Sequence, residues 1–381
     1  MSIKKYFNNL VNRVENSEIP LSFYILAFIF SCAIRLFLES YSDRDLLWKQ
    51  LIIGSYIHYY LAYISQTLFI ILLFEAVTKN NLVKICKWIC YGFIFLNLVP
   101  VIDLLITKGH GLNITYMLPY LHKGIFLRFF TFFGDFPGQG VTLGQRIEIA
   151  LALFGSFIYF SSKTRMLWRS VAGTLLTYIL IFSFSALPFY LKGIFGLFKI
   201  PFIYKGINPD ILFIKTHLFL ILIISYLFFN KINSFSMASI KLKLQKTYSY
   251  FLLIYLTGIF SSVIDGNLII NSIKVFDFIF IPLSICFAIY FSLNINNLNF
   301  FIKESKTDAS HIWYSFIFAL IYSASSGLAF FALILTFCGG YFLIKSPIYP
   351  DVFRKNIISQ ALFYLFEIFI IFKLGYITVL S

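Results

Sequence analysis

Tyr248-Ser-Tyr-Phe-Leu-Leu-Ile-Tyr-Leu-Thr-Gly-Ile-Phe-Ser-Ser-Val263 carries no charge, and a short polar turn separates it from a second apolar run at 275–293. That run ends in Asn294-Ile295-Asn296-Asn297-Leu298-Asn299. Lys303, Glu304, Lys306 and Asp308 follow, and another long apolar run opens at Ile312. Apolar runs near the roughly 20 residues that a helix needs to cross a bilayer, joined by short charged turns, read as membrane spans. Asparagines at the end of such a span are unusual, because each amide needs hydrogen-bond partners where water is scarce.

Composition extends that reading to the whole chain. Of 381 residues, 60% are hydrophobic, 20% aromatic and only 12% charged, with a mean hydropathy of +0.85. Soluble domains carry about 25% charged residues, so bilayer is the expected solvent here. The formal charge of +15 does not point to nucleic acid. The basic residues sit between apolar runs, where they face anionic headgroups, and no basic groove with interleaved aromatics is present. Membrane lipids are the expected partners. The five cysteines form no CxxC pair and the five histidines no HxH or HxxxH pair, so neither a disulfide framework nor a zinc site is indicated.

Residues 1–19 form an amphipathic segment, with Ile3, Phe7, Leu10, Val11 and Val14 on one helical face and Lys4, Lys5, Asn8, Asn12 and Arg13 opposite. It reads as a helix lying on the membrane or as a frayed polar leader. Apolar runs follow at 21–38, 51–77, 88–106, 144–160, 170–190, 211–229, 248–263, 275–293, 312–337 and 359–374. The expected fold class is all-α, a polytopic transmembrane helix bundle of about ten spans. The run at 312–337 is long enough to hide a break at Ser323-Ala-Ser-Ser-Gly327, which would make two shorter helices of it. Residues 20–230 hold about six spans and 248–381 about four, joined by a basic connector at 231–247. Acid-free clusters at Lys79, Lys84 and Lys87, at Lys163, Arg165 and Arg169, and at Lys231, Lys241, Lys243 and Lys246 fall on the side of Lys4, Lys5 and Arg13. The positive-inside rule then places the N terminus in the cytoplasm. The expected location is a cytoplasmic membrane of bacterial or archaeal type. The long interruption at 107–145 is too apolar for a free loop and reads as an interfacial or re-entrant element ending in a glycine-rich turn.

With that orientation, Arg35, Glu39, His58, Asp103, Arg146 and Glu148 fall towards the outer ends of their spans, as do Asp210, Lys215 and His217. Charges at membrane depth face a bundle interior or one another. One reading is a polar pocket that opens outward to a lipid headgroup or an ion. The other is a set of ion pairs that pin the bundle together, with Arg35 and Glu39 spaced as an i,i+4 pair.

From Lys241 onward the order of features resembles the first half of the UbiA superfamily of intramembrane prenyltransferases. Lys243 and Lys246 precede a helix with Gly258, then a turn with Asp265 and Gly266. Asn296-Asn297 stands where that family has an aspartate-rich motif opening Asn-Asp. Gly340-Tyr-Phe-Leu-Ile-Lys-Ser-Pro-Ile-Tyr-Pro350 looks like the family's Tyr-Ser-x-Pro segment, followed by Arg354 and Lys355. The resemblance implies lipid or isoprenoid metabolism, with Asn296, Asn297, Glu304 and Asp308 as the diphosphate and Mg²⁺ region. It also implies Lys303, Lys306, Arg354 and Lys355 as phosphate-binding groups, and a prenyl diphosphate as the partner. Asn297 replaces the first aspartate, leaving Glu304 and Asp308 as the only carboxylates for a hard cation that demands charged oxygens. The family's second aspartate motif has no counterpart before Ser381. The expectation is therefore a protein not competent for prenyl transfer alone, with a second membrane subunit as a possible partner. The alternatives are a transporter or flippase-like bundle and a non-catalytic subunit of a membrane complex.

Overall fold

A computed structural model describes residues 3–42, 53–95, 97–108, 125–133, 143–164, 166–202, 209–232, 238–265, 271–294, 310–345 and 357–380. Among them the secondary structure is helical, without a strand. The helices are α1 (Ile3–Glu15), α2 (Leu21–Ser42), α3 (Ile53–Thr78), α4 (Leu82–Phe95), α5 (Leu98–Ile106), α6 (Ile125–Phe130), α7 (Leu143–Lys163), α8 (Leu167–Ser185), α9 (Leu187–Leu197) and α10 (Pro209–Ile232). α11 (Ala238–Ile264), α12 (Ser272–Asn294), α13 (Ser310–Ser326), α14 (Leu328–Lys345) and α15 (Ile357–Leu380) complete the order.

Eight helical segments of the described residues are long and apolar enough to cross a membrane. Their outward faces are apolar too. Phe30 is 71% exposed, Leu167 70%, Phe260 67% and Leu362 62%. In water such faces would be unfavourable by roughly 25 cal/mol per Å² of apolar surface, so lipid is their natural neighbour. The chain is an all-α integral membrane protein.

The helices gather into two units, one made of 1–199 and 217–232 and the other of 200–216 and 233–381. In the first, Tyr24, Phe28 and Cys32 of α2 pack with Phe74 of α3, Trp88 and Phe93 of α4, and Tyr159 and Phe160 of α7. α7 and α8 approach closely because Gly173 leaves room for the Phe160 ring, which would lie 2.8 Å from a β-carbon there. The apolar face of α1 is taken up by protein: Val11 and Val14 are buried in the same core, and Phe7 meets Phe154 of α7 edge-on at 5.9 Å. A single helix was expected over 170–190, but α8 stops at Ser185 and α9 begins at Leu187. Pro188 sits in the first turn of α9, where its missing N–H and fixed φ are tolerated while continuation of α8 is not. Of the interruption at 107–145, residues 125–133 are described. They form a short apolar helix whose Phe129 carbonyl accepts the Tyr178 hydroxyl at 2.5 Å, while Phe133 is buried against Phe182.

In the second unit, Phe251 and Tyr255 of α11 pack with Ile281 and Ile285 of α12, Phe330 and Phe337 of α14, and Ile370 and Leu374 of α15. α13 runs antiparallel to α12. The Ser284 hydroxyl donates to the Ala319 carbonyl at 2.7 Å, Phe287 meets Phe318, and Phe291 meets Phe316. The break anticipated at Ser323–Gly327 is present. Gly327 has φ +133°, a conformation L side chains rarely adopt, and the chain bends there between α13 and α14.

Candidate functional site

Three of the outward residues expected from sequence converge on the first turns of α7 in the first unit. Both guanidinium NH₂ groups of Arg35 donate to Glu148, Nη1 to Oε1 and Nη2 to Oε2, each at 2.6 Å, and Arg35 Nε donates to the Tyr63 hydroxyl at 3.0 Å. This is the fork-on-fork geometry that makes arginine–carboxylate pairs rigid. Arg35 is 2% exposed, so it is held inside the bundle and not presented to a pocket. Asp103 Oδ1 accepts the backbone N–H of Gly144 at 2.8 Å. A β-carbon on Gly144 would lie 2.6 Å from that carboxylate, so glycine is what lets Asp103 reach the positive N-terminal end of α7. Arg146 is part-buried one helical step away. His58 is elsewhere: it stacks on Tyr59 and lies 5.9 Å from the His217 ring, whose Nδ1 shares a 2.9 Å hydrogen bond with the Ser65 hydroxyl. The side chain of Glu39 lies outside the described residues.

At the opposite end of α7, Glu15 gathers a network absent from the sequence-based expectations. Lys163 Nζ donates to Glu15 Oε2 at 2.5 Å, and the Tyr159 hydroxyl and Asn80 Nδ2 donate to Oε1 at 2.8 and 2.7 Å. The Lys87 ammonium donates to the Ser17 carbonyl at 2.8 Å.

The second unit holds the cluster with most chemical potential. Asn271 caps α12, its Oδ1 accepting the N–H groups of Ile273 and Lys274 at 3.0 and 2.9 Å. That start places Lys274 and Asp277 on the first turns. Lys215 Nζ donates to Asp277 Oδ1 at 2.5 Å, with the two side chains 3% and 4% exposed. Ser326, the last residue of α13 before the bend, lies near the Asp277 carboxylate, and its hydroxyl donates to the Tyr322 carbonyl at 3.4 Å. Lys274 faces the same carboxylate and donates its Nζ proton to the Val379 carbonyl at 2.5 Å. One ammonium–carboxylate pair is therefore buried in this unit with Lys274 and Ser326 nearby, and Phe276, Phe280 and Tyr322 of α12 and α13 are buried as well. Lys215 is among the charges flagged by sequence. Asp277 and Lys274 are not, although a single acid inside the apolar run 275–293 is the signal that intramembrane sites offer.

Asn296, Asn297, Lys303, Glu304, Lys306 and Asp308, with Arg354 and Lys355, lie outside the described residues. Of the asparagine-rich turn, Asn294 is described, and its Nδ2 donates to the Tyr290 carbonyl of its own helix at 2.8 Å, a local capping bond. Asp265 accepts the Tyr376 hydroxyl at 2.8 Å. The described residues bring together no group of three His, Cys, Asp or Glu able to hold a metal ion. Comparison with protein-family models, curated proteins and solved structures finds no match to this chain.

Proposed function

We propose that the protein is a membrane transporter for a small anionic solute, with Lys215, Asp277, Lys274 and Ser326 as its binding centre. The observation that carries this reading is the buried Lys215–Asp277 pair beside the α13–α14 bend. Ionisable residues at membrane depth are costly and mark solute pathways, and interrupted helices are where transporters place their sites. Electrostatics favour an anion. Two lysines against one aspartate leave a formal charge of +1, and an incoming carboxylate or phosphate oxygen exchanges with Asp277 for the ammonium groups. The contrast with Arg35–Glu148 supports the choice. Arginine's planar fork holds its partner in two bonds, whereas lysine is a rotatable point charge that can change partners.

The same reading takes the N terminus as cytoplasmic. The start of α11 and the connector at 295–309 carry Lys241, Lys243, Lys246, Lys303 and Lys306, and the positive-inside rule puts them inside. α13 then leaves the cytoplasmic face at Ser310, and the bend at Gly327 falls in the outer part of the membrane, beside Asp277.

Solid-supported-membrane currents from reconstituted protein test the proposal, with chloride, acetate and phosphate as probes. Wild type should give a transient current with at least one of them. K215M and D277N should abolish it while still eluting as monodisperse protein. No current with any probe overturns the reading. Tight prenyl diphosphate binding that disappears on Mg²⁺ chelation would replace it with the prenyltransferase-like alternative centred on 296–308, Arg354 and Lys355.

A further inference from the structure

We infer that Glu367, with Tyr341, binds a single small cation, a proton or a sodium ion, in the core of the second unit. Three other carboxylates in the helices are held by a cationic side chain. Glu15 has Lys163, Glu148 has Arg35 and Asp277 has Lys215. Glu367 is 1% exposed and has none among the described residues. Its Oε2 accepts the Tyr341 hydroxyl at 3.1 Å, and its Oε1 is buried with no hydrogen-bond partner. Fully buried carboxylates without a compensating charge are strongly disfavoured, and the described side chains supply none, so a bound cation is what would cancel this negative charge.

The surroundings narrow what that can be. α14 and α15 meet closely here: a β-carbon on Gly340 would lie 3.0 Å from the Phe363 ring, and Tyr341 packs edge-on against Phe363 at 5.3 Å. The polar group facing Glu367 from α14 is Tyr341. Tyr364, on the same helix as Glu367, is also close to Tyr341. Lys373, on α15, lies over the Phe369 and Tyr376 rings. From α11, Phe251 and Tyr255 contribute to the apolar core that α15 shares, and no cationic side chain of α11, α12 or α14 among the described residues bonds the carboxylate. A carboxylate oxygen and a phenol oxygen in an apolar shell suit one desolvated monovalent cation. They offer too few charged oxygens for Mg²⁺ or Ca²⁺.

Dicyclohexylcarbodiimide tests this, since it adds across a protonated carboxyl in an apolar setting and stays attached as an N-acylurea, with no group leaving. The intact protein in detergent is treated in sodium-free buffer at pH 6 and pH 8, and again with 100 mM sodium chloride or choline chloride, and the adduct is mapped by peptide mass. Glu367 should carry the adduct in sodium-free buffer, while Asp277, Glu148 and Glu15, held by their cations, should carry at least tenfold less. E367Q should lose the modification. Suppression by sodium but not by choline assigns the site to sodium with proton competition, and indifference to sodium assigns it to the proton; both support the inference. Absence of an adduct at Glu367 in sodium-free buffer at both pH values overturns it. So does equal labelling of the paired carboxylates.

Discussion

Gly258 of α11 and Gly375 of α15 meet backbone to backbone. A β-carbon on Gly258 would lie 3.2 Å from Gly375 Cα and 2.9 Å from the Tyr376 amide nitrogen, and would overlap the Phe372 carbonyl oxygen. One on Gly375 would overlap the Tyr255 carbonyl. Small residues are how membrane helices gain contact where lipid offers no hydrophobic drive. The neighbours here are backbone atoms, which cannot rotate aside. G258A and G375A are therefore expected to destabilise the second unit by about 1–3 kcal/mol, the range for overpacking a filled interface. Thermal unfolding in detergent measures it, with G92A as control, since nothing lies within 4 Å of a β-carbon at Gly92. Equal midpoints for all three variants would contradict the close approach.

The Arg35–Glu148 pair predicts an asymmetry between single and double variants. R35M leaves Glu148 without its cation. Removing one member of a buried pair costs about 3–5 kcal/mol, and the 17% exposure of Glu148 places this case near the lower end. R35M should therefore accumulate poorly and unfold at lower temperature, with E148Q milder. The double variant R35M/E148L should recover much of the loss, because an apolar pair of similar volume removes both charges. A double variant no better than R35M would mean that Arg35 acts through something other than Glu148.

How far these relations can be read from sequence depends on what sets them. Apolar runs are legible because the bilayer itself imposes length and polarity on each span. The bend at Gly327 is legible too, because Ser323-Ala-Ser-Ser-Gly327 places small polar residues and glycine in the middle of an overlong run. Partner choice is not. A bidentate partner of Arg35, Glu148, is 113 positions away. Such a pairing depends on which helices pack, and the lipid-facing and protein-facing sides of a membrane helix are both apolar, so periodicity says little about it. Asp277 and Glu367 are visible as lone acids in apolar runs. That one is paired with lysine and the other with a phenol follows from the tertiary contacts alone.

The Glu15 network predicts how α1 is held. Glu15 is 4% exposed and takes hydrogen bonds from Lys163, Tyr159 and Asn80. E15A strands the Lys163 ammonium and breaks all three, whereas Y159F keeps the Lys163–Glu15 ion pair and removes the Tyr159 bond to Glu15, worth about 1.5–3 kcal/mol to a charged acceptor, with the Asn80 bond to the same hydroxyl. Limited trypsin digestion reads the difference, since Arg13 lies in the last turn of α1. Cleavage after Arg13 should accelerate strongly in E15A and less in Y159F. If both variants resist like wild type, burial of Val11 and Val14 holds α1 without the polar network.

Gly327 ties backbone geometry to the proposed anion site. Its φ of +133° lies in a region that only glycine occupies without strain, and its neighbour Ser326 lies near Asp277. A β-carbon at Gly327 would meet only Phe330, at 3.7 Å, so space is not the obstacle and conformation is. G327A should destabilise the protein by about 1–3 kcal/mol, the usual strain for a non-glycine residue held in such a region. G339A, in the same α14 with nothing within 4 Å, should be neutral or stabilising by up to about 1 kcal/mol on helix propensity. The functional consequence separates the two variants further. Relief of strain at 327 shifts the bend and moves the Ser326 hydroxyl away from Asp277, so G327A should lose anion current at temperatures where it remains folded. S326A, which deletes the hydroxyl but keeps the bend, should weaken anion affinity with little change in unfolding temperature. A G327A protein that is less stable yet conducts like wild type would show that the bend shapes the fold without shaping the site.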